Sequence, residues 1–148
     1  GVSRPALEEQ LSALGLSDRG IFTGRVPRDL APLYHQALDV FVVPRKDLDV
    51  TRSVTPLKPV EALASCRPVL ASRLPALEEI VSDDTNGLLA SAGDRRDFAT
   101  KLERLLGSEE LRIRLGQSGR REVLDTRTWR ANAHSLSLAY HQLMEAPR

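Results

Sequence analysis

The sequence predicts an α/β fold: a Rossmann-like parallel sheet with flanking helices and a helical C-terminal extension. Three observations predict it. Short β-prone runs alternate with helical periodicity from Gly20 to Ala90, and beyond Asp94 the pattern is wholly helical. Between them, Asp39-Val40-Phe41-Val42-Val43-Pro44 is almost continuously apolar, the signature of a strand covered on both faces of a parallel sheet.

Taken in order, Leu7, Leu11 and Leu14 recur at helical spacing behind Pro5, which suits a first helical turn, and Gly15 stops that helix. Gly20 to Val26 is β-prone and predicts a strand; Pro27 follows, with Asp29 as the expected N-cap of a helix whose stripe is Leu30, Leu33, Tyr34, Ala37 and Leu38. The strand at 39–44 is expected at the centre of the sheet. Arg45 to Ser53 is too polar and aperiodic for more than a loop, and Thr55-Pro56 opens a helix running to Ser65. Pro68 to Ala71 predicts a strand, Pro75 to Val81 a short helix, and Gly87 to Ala90 a last strand. The order is βαβαβαβ, in which each right-handed crossover needs a covering helix. Residues 94–148 then read as helices, the last carrying Trp129, Ala133, Leu136, Tyr140 and Leu143 on one stripe.

At 148 residues, with 41% hydrophobic and 28% charged residues, the chain reads as one ordinary globular domain. A net charge of +1 offers no strong field for nucleic acid. No apolar run is long enough to span a membrane and no signal-peptide pattern opens the chain, so a cytoplasmic location is expected. The lone cysteine, Cys66, reads as a small buried apolar residue. His35, His134 and His141 have no metal-ligand spacing, and neither Gly-x-Gly-x-x-Gly nor a Walker-type loop is present.

In an open parallel sheet ligands gather outside the carboxyl ends of the strands, where helix N-termini present unpaired N–H groups. Two junctions carry suitable residues. Thr23-Gly24-Arg25-Val26 has a glycine that admits close approach to the backbone. Ser53-Val54-Thr55-Pro56-Leu57-Lys58 joins a helix start, two hydroxyls and a lysine, a receptor for a phosphate or diphosphate. Glu61, one turn beyond Lys58, is placed to reach the ribose hydroxyls of a nucleotide whose diphosphate sits at that helix start. The plain alternatives stay open: Thr55 as a cap, Lys58 as a solvated charge, Glu61 as an acid favoured by the helix dipole.

The run Ile21 to Pro27, the segment Leu33-Tyr34 through Pro44, and Thr55 to Ser72, with Glu78-Glu79-Ile80-Val81 and Asn86-Gly87-Leu88-Leu89, resemble the C-terminal, donor-binding domain of family 4 retaining glycosyltransferases, one half of a GT-B fold. The resemblance covers nearly the whole chain. It implies that Gly24, Arg25 and Val26 border the nucleotide base, that amides near Leu57 and Lys58 hold the diphosphate, and that Glu61 is the second glutamate of a Glu-x7-Glu motif binding the ribose. It implies transfer of a sugar from a nucleotide-diphosphate donor, with retention and without a metal, to a glycan or lipid-linked acceptor bound by a separate N-terminal domain.

Three positions depart from the pattern. Eight residues before Glu61 stands Ser53, so the first glutamate, which faces the donor sugar, is absent; Asp47 or Asp49 is the available substitute. The chain starts, by this resemblance, after the first strand and after the arginine and lysine that grip the phosphates, with Gly1 a remnant of a glycine-rich turn. Losing those cations removes contacts of roughly 1.5–3 kcal/mol each, so donor affinity is expected to be poor; the chain alone is expected to supply binding and not turnover, and its catalytic residues are unassigned. Cys66 replaces a helix-ending glycine. A non-catalytic scaffold derived from the same fold is the alternative. Arg112, Arg114, Arg120, Arg121, Arg127 and Arg130 make the C-terminal helices basic, either as a solvated face or as a peripheral approach to anionic lipid at the inner membrane face. Trp129, which resembles the aromatic opening the family's final helix, is expected in the core.

Overall fold

The computed structural model describes residues 3–145. Gly1, the expected remnant of a glycine-rich turn, lies outside them. The chain divides into two units, one up to Ala31 and one from Pro32 onward.

In the first unit α1 (Arg4–Ala13) forms as its leucine spacing predicts, with Pro5 in the first turn. A 3₁₀ turn over Ser17–Arg19 follows. The expected strand at 20–26 does not form: among the described residues the segment pairs with no strand, and Gly24 within it turns to φ 68°. A strand is defined by its ladder, and β-propensity cannot supply the partner. Asp29 is not an N-cap either; it sits inside a second 3₁₀ turn, Arg28–Leu30.

Helix α2 (Ala31–Gln36) leads to β1 (Phe41–Val43), α3 (Asp49–Ser53), α4 (Lys58–Ala64), β2 (Val69–Arg73), α5 (Pro75–Glu78), β3 (Gly87–Ser91), α6 (Arg95–Leu106), α7 (Glu109–Thr126) and α8 (Trp129–Glu145). The sheet has three strands in the order β1-β2-β3, all parallel, with Phe41 opposite Val69 and Val69 opposite Gly87. β1 is therefore an edge strand and not the central one; Val42 is 43% exposed. The central place belongs to β2, whose first four residues are buried.

Alternation along β2 and β3 explains the two cores. Val69, Ala71 and Leu89 face α4, α5 and Val123 of α7, whereas Leu70, Leu88 and Ala90 face Leu105 of α6 and Leu115 of α7. Both faces of the sheet are thus covered by helices, as a parallel sheet requires. On α7, a side chain at Gly116 would collide with the Cys66 carbonyl, so a glycine is what lets α7 lie against the end of α4.

That helix end is a Schellman turn: Cys66 N–H donates to Leu63 O and Arg67 N–H to Ala62 O, both at 2.9 Å. Cys66 adopts φ 58°, the left-handed conformation that glycine takes without strain, and is partly exposed and not buried as expected. Two other expectations change here. The stretch 45–53 contains α3, because Thr51 closes a local turn by accepting the Leu48 N–H on its hydroxyl, at 3.0 Å. Helix α5 stops at Glu78, short of Val81.

The apolar stripe of α8 is not buried: Trp129 is 92% exposed and no residue of α8 is buried. The stripe of α2 likewise leaves Leu33, Tyr34 and Leu38 exposed. Amphipathic spacing predicts a helix with an apolar face, and says nothing about which surface covers it.

Candidate functional site

Helix α4 starts at Lys58, not at Thr55-Pro56, and its first-turn proline is Pro59. The cap position is Leu57, with no side-chain bond to the helix. Because Pro59 has no N–H, the first-turn amides free of intrahelical partners are those of Lys58 and Val60. Lys58 is exposed, and among the described residues no carboxylate lies within 4 Å of its ammonium. Glu61 is anchored through its backbone, N–H to Leu57 O at 3.1 Å, while its side chain is 57% exposed. The Glu61 carboxylate lies 3.5 Å from His35 Nε2.

Thr55 does not cap the helix. Its hydroxyl donates to Glu79 Oε2 at 2.6 Å, tying the loop before α4 to the end of α5. Ser53 is the last residue of α3, and its hydroxyl donates to Asp49 O at 2.8 Å, within its own helix. Of the two acids considered as substitutes for the absent glutamate, Asp47 pairs with Arg52 at 3.4 Å and Asp49 opens α3. Ser53, Thr55, Leu57, Lys58 and Glu61 thus fall on two short helices and the loop between them, in one unit.

Gly24, Arg25 and Val26 belong to the other unit. Gly24 has φ 68°, a conformation that excludes most side chains, and among the described residues Arg4 Nη1 alone comes within 4 Å of where its Cβ would stand.

Two clefts matter here, one beside the carboxyl ends of the strands and one beside the start of α4. The larger, about 500 Å³, is lined by Pro44, Arg45, Lys46, Ser72, Gly93 and Phe98 among others. In it the Arg45 N–H donates to the buried Ser72 hydroxyl at 2.9 Å. A second, about 350 Å³, is lined by Thr55, Leu57, Val60, Thr126, Arg127 and Asn132. Sequence reasoning missed Arg127 and Asn132 as neighbours of Thr55, since 72 residues separate Thr55 from Arg127 and no local pattern joins them. It also missed His35, whose only sequence signal is its place one turn before the 39–44 run.

The basic C-terminal helices are not simply a solvated face. Arg112 donates to the carbonyls of Leu105 and Leu106 at 2.8 and 3.0 Å, completing the end of α6. Arg104 and Arg114 clasp the Asp84 carboxylate, holding it below the usual carboxylate range, with the Arg104 bond the larger cause. Arg120 donates to Ala64 O, and Arg127 to Glu79 O. Four of the six arginines are thus spent on carbonyls or a carboxylate of neighbouring elements; Arg121 and Arg130 remain exposed. Among the described residues no group of three His, Cys, Asp or Glu side chains is placed to hold a metal, and no helix is long and apolar enough to cross a membrane.

Comparison with known proteins agrees with this architecture. The profile of the family described as "Glycosyl transferases group 1" matches residues 1–108. A D-inositol 3-phosphate glycosyltransferase of Corynebacterium kroppenstedtii is 32% identical over 142 residues, which are 95% of this chain and 30% of that protein. Sucrose-phosphate synthase from Thermosynechococcus elongatus superposes with a TM-score of 0.84 at 29% identity, over 99% of this chain and 36% of that one. The C-terminal domain of a group 1 glycosyl transferase from Francisella tularensis superposes at 0.73 and 29% identity, over 85% of this chain and 63% of that one. The chain therefore spans about a third of the full-length proteins it matches.

Proposed function

This chain belongs to the group 1 glycosyl transferases, and from that premise we propose that it supplies the donor-binding part of a retaining, family 4-like enzyme acting on the cytoplasmic side of the membrane. The donor is a nucleotide-diphosphate sugar. Its diphosphate lies at the amides of Leu57 and Lys58 beside Ser53 and Thr55, and its ribose on Glu61. The acceptor, a glycan or a lipid-linked sugar, is bound elsewhere in the enzyme. No metal is required, because the diphosphate leaving group is stabilised by cationic side chains and helix amides.

The observation that carries this reading is the start of α4. There a lysine that has no carboxylate partner among the described residues and an exposed carboxylate stand one helical turn apart, at a first turn with unpaired N–H groups. Cation and amides suit a diphosphate; the carboxylate repels it and suits neutral hydroxyls one turn away.

Ser53 favours a second reading. With a hydroxyl in place of the first glutamate, and that hydroxyl engaged by Asp49 O, the module has the fold and ribose acid without the group that faces the sugar, as in a scaffold that no longer uses a donor. Calorimetric titration with UDP, GDP and ADP separates the two. The donor reading expects one of them to bind and Glu61→Ala to weaken it at least about tenfold, the loss of a charged hydrogen bond. If none of the three binds, the same titration on the full-length protein decides: binding there restores the donor reading, and none there is the scaffold.

A further inference from the structure

Glu61 is approached by a histidine that the donor reading does not use. His35, on α2, has a side chain only 12% exposed. Its ring packs against Phe41 of β1, with centroids 5.4 Å apart and planes tilted by 43°. Nδ1 is buried and has no hydrogen-bond partner. The other nitrogen, Nε2, lies 3.5 Å from Glu61 Oε2. The ring therefore has one other polar atom, and that atom lies beside the carboxylate.

The neutral imidazole with its proton on Nε2 suits these surroundings. The Nε2–H then faces an acceptor, and the bare Nδ1 leaves no buried donor unpaired. Few other charges compete. Besides His35, α2 contributes only Tyr34 as a titratable group, β1 contributes none, and α4 contributes Lys58 and Glu61. Among the described residues, Glu61 is the one carboxylate within 4 Å of His35.

We infer that His35 is a positioning residue for Glu61, turning Oε2 toward the ring so that the exposed remainder of the carboxylate meets the vicinal hydroxyls of a ribose. The ligand class this selects is a ribonucleoside diphosphate over its 2′,3′-dideoxy counterpart. The inference rests on the donor reading above. Its physical basis is preorganisation: a glutamate side chain free to sample its rotamers loses that freedom when a ligand binds, and one already held loses less. At 3.5 Å the contact is longer than a formed hydrogen bond, and it shortens when a bound ribose excludes water from the pair.

The test compares each of UDP, GDP and ADP with its 2′,3′-dideoxy form, on the full chain, by calorimetry. The unaltered chain is expected to prefer the ribose form, and Glu61→Ala to erase that preference. His35→Phe, which keeps an aromatic ring against Phe41, is expected to cut the preference about three- to fivefold, as for a single half-exposed pair, while leaving dideoxy affinity unchanged. His35→Gln, whose amide nitrogen stands near the position of Nε2, is expected to restore it. Should the Phe variant fail to fold, His35→Asn, whose shorter amide falls short of Glu61, takes its place. The inference is overturned if the preference survives His35→Phe, if both ligand forms weaken equally, or if His35→Gln behaves like His35→Phe. A preference that persists in Glu61→Ala, or no binding of any ribose form even by the full-length protein, refutes the donor reading itself and this inference with it.

Discussion

β2 and β3 differ from the β1 edge in how completely their surroundings are satisfied. The first four residues of each strand are buried between helices, and the turn that joins α5 to β3 is held by Asn86 and by the arginines on Asp84. By contrast α2, β1 and α3 contain no buried residue. Helix α4 links the two regions: Pro59, Ala62 and Leu63 are buried, while Leu57, Lys58 and Glu61 are exposed. The comparison teaches that the candidate ligand groups sit on the lightly packed side, supported from behind by the densely packed one. Binding surfaces are drawn from such regions because groups already satisfied by the protein have nothing left for a ligand.

The difference is tested most severely in the sheet. Leu70→Ala, at a fully buried position of β2, is expected to cost about 2–5 kcal/mol in urea unfolding. Val42→Ala on the exposed side of β1 should cost under about 1 kcal/mol; equal losses would show that the two regions are packed alike. Next is Asn86, buried and bonded through its side chain to Ser82 N–H, Ile80 O and Glu122. Asn86→Ala should cost about 1–3 kcal/mol, because it leaves the Ser82 donor and the Ile80 acceptor unpaired.

A pH-dependent effect sharpens the comparison further. The N–H of Ser91, and then Lys101, hold the Asp97 carboxyl at about 2, below its ordinary 3.8. A carboxyl depressed in the folded state contributes stability that is present above its unfolded value and is lost as pH falls through the folded one. The melting temperature should therefore decline between about pH 4 and pH 2, and Asp97→Asn should flatten that decline; an unchanged slope would remove Asp97 from the account. The smallest expected effect is a gain. Cys66→Gly relieves a left-handed cysteine and should raise stability by about 0.5–1 kcal/mol, read as a higher urea midpoint.

Much of this architecture was legible in the residues. The parallel sheet followed from the Val-rich run and from strand–helix alternation, and the helices beyond Asp94 from their periodicity; the side-chain caps of α6 and α7, Asp94 and Ser108, emerge only in the structure. What was not legible has a common cause. Whether Gly20 to Val26 becomes a strand, whether β1 lies at the centre, and whether Trp129 is covered all depend on partners that local propensity does not contain. Thr55 shows the same at the site: a threonine before a helix reads as a cap, but a glutamate 24 residues away takes its hydroxyl. The one-turn spacing of Lys58 and Glu61 was legible, because both fall in α4 and a helical turn fixes it whatever surrounds them. His35 has no comparable rule, since its relation to Glu61 exists only once α2 and α4 are folded.

The parallel register also governs how the chain reaches this state. Phe41 meets Val69, and Val69 meets Gly87, so neither ladder can close until the intervening crossover has been traversed. The contacts within α6 and α7, by comparison, join neighbouring stretches of chain. Proteins dominated by distant pairings fold more slowly than helical ones. The C-terminal helices are therefore expected to gain structure before the three-strand ladder closes, an order that pulsed hydrogen exchange during refolding would check by earlier protection of α6 and α7 than of β2.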